Sequence, residues 1–235
     1  MARAVILAGG KGTRLRPYTV SLPKPLMPIV DTPILEIIVR QLARSGFERL
    51  SFAVNHQADI LRAYFGDGSK WGVEIDYSLE TQALGTMAPL RLIHDLPENF
   101  LVMNGDILTD MDYGSFYRRH VEDGCLFTVS ATERQQKIDY GVLRVKESGE
   151  LRDFEEKPSI PYLVSMGIYC LRRSVVDEIP ENQSYGFDNL VLQFLASKQT
   201  IAVRQHTGYW LDIGRPEDYQ KATDDWPELS KALSL

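Results

Sequence analysis

Residues 3–8, RAVILA, run apolar without polar alternation and stop at a glycine loop, GGKG. A strand with one wet face alternates. A run that does not alternate belongs where both faces are covered, as in the middle of a parallel sheet. The unit then repeats. Thr32 and Pro33 are placed as N-cap and first residue of a helix through ILEIIVRQLARS, which Gly46 ends. RLSFAV (49–54) reads as a second strand, followed by a helix through ADILRAYF that stops at Gly66. VEIDYSL (73–79) is a third strand, APLRLIHDL is helical, and FLVMNGD (100–106) is a buried strand ending in polar residues. A βαβαβαβ run of this kind folds through right-handed crossovers into a parallel sheet with helices on both faces.

The second half is richer in strands: CLFTVSAT, YGVLRV, ELRDFEE, LVSMGIYCL and TIAVRQH are β candidates. FDNLVLQFLASK (187–198) reads as a helix with Asp188 as cap, and RPEDYQKATDD as another. The expected fold class is α/β, a Rossmann-like mixed and mainly parallel central sheet. With no linker or repeat in sight, residues 1–235 are expected to form one domain. Its nucleotide-binding half would be 1–110 and its second half 111–235.

The longest apolar runs are about five residues, far short of the ~20 needed to cross a bilayer. The brief apolar stretch before Lys11 is not a signal peptide, so a cytoplasmic protein with no membrane partner is expected. Cys125 and Cys170 fall in apolar segments without partner spacing, as buried thiols of a reducing compartment would. The net charge of −6 argues against nucleic acid. Its distribution is more telling. Residues 1–30 hold Arg3, Lys11, Arg14, Arg16 and Lys24 and no acid, which is +5, so the remaining 205 residues carry −11. A cationic pocket on an acidic body suits a small polyanion.

The loop after RAVILA lies where open parallel sheets place ligands, beyond the carboxyl ends of strands. It is neither of two familiar phosphate loops. G-x-G-x-x-G fails because Leu15 stands where a glycine is needed, and the P-loop fails because Lys11 precedes Gly12 and no G-K-[ST] occurs. What remains is a loop whose backbone N–H groups at Gly9, Gly10 and Gly12 can approach phosphate oxygens without a Cβ in the way. Arg14 adds a planar fork and Lys24 a point charge.

LAGGKGTRLRPYT followed by PKPLMPI resembles the signature of the sugar-1-phosphate nucleotidyltransferases, or nucleotide-sugar pyrophosphorylases. The likeness continues in order through ETQALGTMAPL, NGD, YGVL, FEEKP, MGIY and GYWLDIGRPEDY. The resemblance implies the nucleotide-diphospho-sugar transferase fold and an enzyme that joins an NTP to a sugar 1-phosphate with Mg²⁺ as cofactor. It assigns Ala8, Gly9, Gly10, Gly12, Thr13, Arg14, Lys24, Glu80, Gly85 and Thr86 to the nucleotide. Asn104, Gly141, Glu156, Lys157 and Ser165 go to the sugar phosphate, and Asp106 and Asp212 to the metal. Arg14, Lys24 and Lys157 are the implied catalytic cations. Mg²⁺ accepts such carboxylates, completing its shell with phosphates and water. The four histidines, His56, His94, His120 and His206, lack zinc-ligand spacing.

A carboxylate at Glu80 can accept from guanine N1–H and N2–H₂ together. The overall pattern is most similar to mannose- or heptose-1-phosphate guanylyltransferases, so GTP is the favoured NTP. Uridylyl, thymidylyl and cytidylyl transfer to another sugar 1-phosphate stay open. Relatives often have Ala-Gly after the Gly-Thr pair and Asn-Ala-Gly before Ile-Tyr. Here Met87-Ala88 and Ser165-Met166-Gly167 stand there, and both bear on substrate identity. The C-terminal hexapeptide repeats of many relatives are not found, so no β-helix domain is expected. A homo-oligomer is left open. Two rivals remain: a glycosyltransferase using Asp110 and Asp112 of DMD as a D-x-D metal site, and a binding protein that kept the fold without turnover.

Overall fold

The computed structural model describes residues 2–10, 12–55 and 57–233. Lys11, one of the loop cations, and His56 lie outside them. Strand β1 (Ala2–Leu7) leads through the glycine loop to a small ribbon of β2 (Pro28–Ile29) and β3 (Thr32–Pro33), then helix α1 (Ile34–Arg44). Next come β4 (Phe47–Val54), α2 (Ala58–Phe65), β5 (Glu74–Leu79), β6 (Asn99–Asn104), β7 (Ile107–Thr109) and α3 (Tyr113–Glu122). The second half runs β8 (Phe127–Lys137), β9 (Gly141–Val145), β10 (Leu151–Glu156), β11 (Ser159–Arg172), α4 (Ser174–Asp177) and α5 (Phe187–Ala196). It ends with β12 (Ile201–His206), β13 (Trp210–Asp212) and α6 (Pro216–Ala232).

Seven strands make the central sheet in the order β12-β8-β11-β6-β1-β4-β5. β6, β1, β4 and β5 are mutually parallel, as the βαβ rhythm predicts. β11 runs antiparallel to both β6 and β8, while β12 is parallel to β8. Helices cover both faces. Ala4 and Ile6 of β1 pack in one core with α1, α2, α3 and α6; Val5 points into the other, with α4 and α5. This is why RAVILA has no polar alternation: neither face meets water.

Several expected boundaries move. Thr32 does not cap α1; its hydroxyl donates to Asp31 Oδ1 at 2.9 Å, residues 32–33 pair with β2, and Pro33 is the N-cap. The helix expected through APLRLIHDL is a single 3₁₀ segment, Ala88–Leu92. Its first amides are committed elsewhere, since Met87 and Ala88 N–H both donate to Tyr185 O, at 3.0 and 3.1 Å. The cap of α5 is Gly186, whose N–H donates to Asn189 Oδ1 at 2.8 Å; Asp188 lies in the first turn, and the helix stops at Ala196. β6 ends at Asn104, so Asp106 sits in the turn beyond it. β11 begins at Ser159, before the expected 163, and α6 runs past 225 to Ala232. The short β7–β13 pair is not foreshadowed in the sequence.

Candidate functional site

The glycine loop is fastened at the carboxyl ends of β1 and β4. Ala8 N–H donates to Ala53 O at 2.8 Å, and the Asn55 side-chain amide donates to Gly9 O. Gly10 is exposed with nothing crowding it, whereas a Cβ at Gly9 would stand 2.8 Å from Glu80 Oε1. Gly12 takes a left-handed φ of +58°, and Thr19 Oγ1 donates to its carbonyl at 2.7 Å. Thr13–Leu15 form one 3₁₀ turn, with buried Leu15 as the peg and Thr13 and Arg14 exposed. The described part of the loop is therefore held at Ala8, Gly9, Gly12 and Leu15, while Gly10, Thr13 and Arg14 are exposed.

Two carboxylates and two cations meet beside it. Lys24 is 9% exposed and its Nζ is ion-paired with Asp106 Oδ2. Asp106 Oδ1 is buried and has no hydrogen-bond partner among the described residues. The β7–β13 pair carries Asp212 to the same place: Asp212 pairs with Ile107, and Ile213 N–H donates to Asp106 O at 3.0 Å. Packed surroundings raise the Asp212 carboxyl above the ordinary range and the nearby Asp106 carboxylate adds to this, while Lys24 and Arg14 pull it back. The Arg14 guanidinium lies against Gly214, directly after β13 and its neighbour. Two neighbouring carboxylates, one with an orphaned buried oxygen, are a donor set that suits a hard divalent cation completed by phosphate oxygens. Among the described residues no group of three or more His, Cys, Asp or Glu forms a larger cluster.

A cavity of about 590 Å³ opens from this group along the loop. Ala8, Gly9, Gly10, Lys24, Glu80, Gly85, Thr86, Asn104 and Asp106 all line it. Glu80 is half-buried, with no ion-pair partner among the described residues; burial raises its carboxyl pKa, and the Leu84 amide lowers it in part. Gly85 has φ +83°, and a Cβ there would sit 2.9 Å from Tyr185 O. Thr86 Oγ1 accepts from Phe187 N–H at 2.9 Å, which ties the Glu80–Thr86 loop to the start of α5.

The sugar-phosphate residues are placed less uniformly. Asn104 lines the cavity, and Gly167 presses close to its Nδ2 through a bulge of β11 between Ser165 and Tyr169. Ser165 Oγ accepts from Gly167 N–H within that bulge, at 3.3 Å. Gly141, Glu156 and Lys157 lie on and just after the β9–β10 hairpin, exposed and outside the cavity lining. Lys157 adopts φ +48°, and its N–H donates to Tyr140 O at 3.3 Å. The DMD aspartates have other tasks. Asp112 Oδ1 caps α3 through Ser115 N–H at 2.9 Å, and Asp110 Oδ1 is 2.8 Å from His206 Nε2. Residues missed from the sequence are Asn55, Thr19 and Asp218, which accepts from Arg215 N–H at 2.9 Å. Asn55 had a signal, since it stands at the carboxyl end of a parallel strand.

A parallel-sheet α/β fold with a glycine loop, cations and paired carboxylates at one end of its strands defines a phosphate-handling class. The chain belongs to the nucleotidyl transferase family, whose profile matches residues 3–228. It is 32% identical over 94% of its length to UTP–glucose-1-phosphate uridylyltransferase of Synechocystis, covering 62% of that protein. It is 35% identical over 92% of its length to the catalytic subunit beta of mannose-1-phosphate guanylyltransferase of Drosophila pseudoobscura pseudoobscura, covering 60% of it. The chain thus spans about three-fifths of these relatives. Among solved structures, HddC of Yersinia pseudotuberculosis, complexed with GMP-PN, has a TM-score of 0.71 and 26% identity, over 96% of this chain and 100% of that one.

Proposed function

We propose that the chain transfers a nucleoside monophosphate from an NTP to a sugar 1-phosphate, releasing pyrophosphate, with GTP and a mannose- or heptose-type 1-phosphate as substrates. One observation carries this reading: Lys24 and Asp106, with Asp212 and Arg14 close to them, border a cavity of nucleotide size whose wall also carries Glu80, a carboxylate with no ion-pair partner among the described residues. The guanylyltransferase relative and the GMP-PN complex of HddC support guanine. The uridylyltransferase relative supports UTP as the second reading.

In the reaction an oxygen of the sugar phosphate attacks the α-phosphorus in line. The bond to the β-phosphate bridge breaks, and its electron pair leaves with pyrophosphate. No protein nucleophile is needed; the obstacle is repulsion between anions, which positioned cations and amides relieve. The loop amides and Arg14 would hold the triphosphate, Lys24 would neutralise it beside Asp106, and Lys157 would orient the incoming phosphate. Asp106 and Asp212 would hold Mg²⁺, which when bound supplies charge neutralisation on both phosphates. We take residues 1–235 to act as one unit in the cytosol, with the cavity half and the β8–β11 half contributing one substrate site each.

The test is a matrix of four or five NTPs against mannose, glucose, heptose and amino-sugar 1-phosphates, read by pyrophosphate release with and without Mg²⁺. GTP with mannose or heptose 1-phosphate is expected to give the highest kcat/KM. No release with any pair would overturn the proposal, and release of nucleoside diphosphate from a nucleotide-sugar donor supplied in a separate arm would favour a glycosyltransferase.

A further inference from the structure

Asp212 stands between two arginines. The Arg14 guanidinium lies against Gly214, two residues after it. The Arg134 guanidinium lies over the ring of Trp210, two residues before it, 5.0 Å from the ring centroid. Trp210 and Asp212 both belong to β13, and side chains two apart on a strand share a face at a spacing of about 6–7 Å.

Arg134 arrives from β8. Phe127 and Val129 of that strand point into the core with α4 and α5, so the alternate residues turn to the opposite face. Thr128 meets His120 of α3 there, and Trp210 packs on the same side. The first six residues of β8 are buried and the last five exposed, so Arg134 belongs to the stretch that projects beyond the sheet. Other arginines of this half are ion-paired, Arg172 with Glu98 and Arg204 with Asp123. Arg134 is stacked instead, and among the described residues no carboxylate or carbonyl accepts from its N–H groups. A cation held over an indole has little freedom left to lose when a ligand arrives.

We infer that Arg134 is a specificity-determining residue for the sugar, donating to the exocyclic hydroxyl end of the sugar 1-phosphate; this rests on the function proposed above. The Arg14 end of β13 serves the triphosphate and Asp212 the metal between the two phosphates, so the sugar extends the other way, toward Trp210. Trp210 Nε1 donates to Met166 O at 3.0 Å, inside the bulge that carries Ser165 and sets Gly167 against Asn104. Ser165 and Asn104 are residues that the motif likeness gives to the sugar phosphate. One strand step past Asp212 therefore leads beyond the phosphate to the sugar. The exocyclic carbon is the part of a hexose that swings clear of its ring, within reach of an exposed side chain at the rim such as Arg134. Mannose presents one hydroxyl there, and a heptose presents two adjacent ones that match the planar fork. A 6-deoxy sugar presents a methyl group and leaves the guanidinium unmet.

The test compares the hexose 1-phosphate that wild type uses best, expected to be mannose 1-phosphate, with its 6-deoxy counterpart, in wild type and Arg134→Met. Methionine keeps an apolar stem against Trp210 and drops the donors. Wild type should favour the hydroxylated sugar about tenfold in kcat/KM. The variant should bring that ratio to within about twofold of unity by raising KM for the hydroxylated sugar, with kcat, KM for the NTP and circular dichroism held within about twofold of wild type. An unchanged ratio, or a wild type that does not distinguish the two sugars, overturns the inference. So does a loss shared by both sugars and the NTP, which a structural role would give. A wild type that turns over no pair overturns the proposed function and this inference with it, whereas turnover without the change in ratio overturns this inference alone.

Discussion

Glu80→Gln isolates the reading of the base, because the carboxylate it removes is otherwise idle. Glu80 lines the cavity, has no ion-pair partner among the described residues, and receives only the Leu84 amide. Burial holds its pKa above the usual carboxylate value, which marks a group that gains from a donor arriving with substrate. Guanine brings two donors to one edge; uracil and thymine would set carbonyl oxygens against the carboxylate. A charge-assisted pair of this kind is worth about 1.5–3 kcal/mol. Gln keeps one acceptor and turns the other into a donor that opposes guanine. The ratio of kcat/KM for GTP to that for UTP should fall by about 10- to 150-fold. The pH dependence has a fixed sign. Guanine stabilises ionised Glu80, so GTP preference is full above the raised free-enzyme pKa and fades as pH falls through it, while the variant's preference stays flat. An unchanged ratio in Glu80→Gln, or parallel pH profiles for both proteins, would refute Glu80 as the reader.

Three further outcomes are expected. Asp106→Asn and Asp212→Asn should each lower turnover by about 10²- to 10³-fold in the pyrophosphate assay, since each would weaken the hold on the Mg²⁺ that neutralises the phosphates. Asp106→Asn should also cost about 2 kcal/mol in urea unfolding, because buried Lys24 loses its carboxylate partner. Gly85→Ala forces a side chain to φ +83° and 2.9 Å from Tyr185 O; a cost of about 2 kcal/mol should appear as a Tm loss of about 4–8 °C, with a raised KM for NTP. His120 is 1% exposed, and burial pushes its pKa down to about 4 from 6.5. The unfolded chain therefore binds the proton first. Stability should be full above pH 6.5 and fall by roughly 3 kcal/mol between there and pH 4, a slope that His120→Gln removes in urea titrations.

How much of this was legible in the sequence depends on whether a signal is local. RAVILA, RLSFAV and FLVMNGD declare a doubly covered parallel sheet because burial on both faces is written into each run separately, and Gly46 and Gly66 end their helices at left-handed positions of +86° and +55°. The helix expected over 88–96 failed because its propensity was overruled from a distance, by the carbonyl of Tyr185. Thr32 failed as a cap for a nearer reason, since Asp31 takes its hydroxyl. The β7–β13 pair is three residues long on each side and has no periodicity to detect, yet it brings Asp212 to Asp106.

That pairing explains why the site forms at this end of the sheet. Through β5-β4-β1-β6 the carboxyl ends align, and they deliver Gly9, Asn55, Glu80 and Asn104 to one rim. At β6 the direction changes, because β11 runs antiparallel to it. An antiparallel neighbour presents the middle of a passing strand where a parallel one would present its end. β11 meets this by bulging at 165–169, so Gly167 abuts Asn104 and Met166 O accepts from Trp210 Nε1 at 3.0 Å. Trp210 opens β13, two residues before Asp212. A chain of contacts therefore runs from the β11 bulge through Trp210 to the carboxylate pair. Residues on the parallel side are held by the sheet itself, and those on the antiparallel side depend on this short relay. Trp210→Phe, which removes the indole N–H from this relay, should consequently disturb Asp212 while sparing the glycine loop.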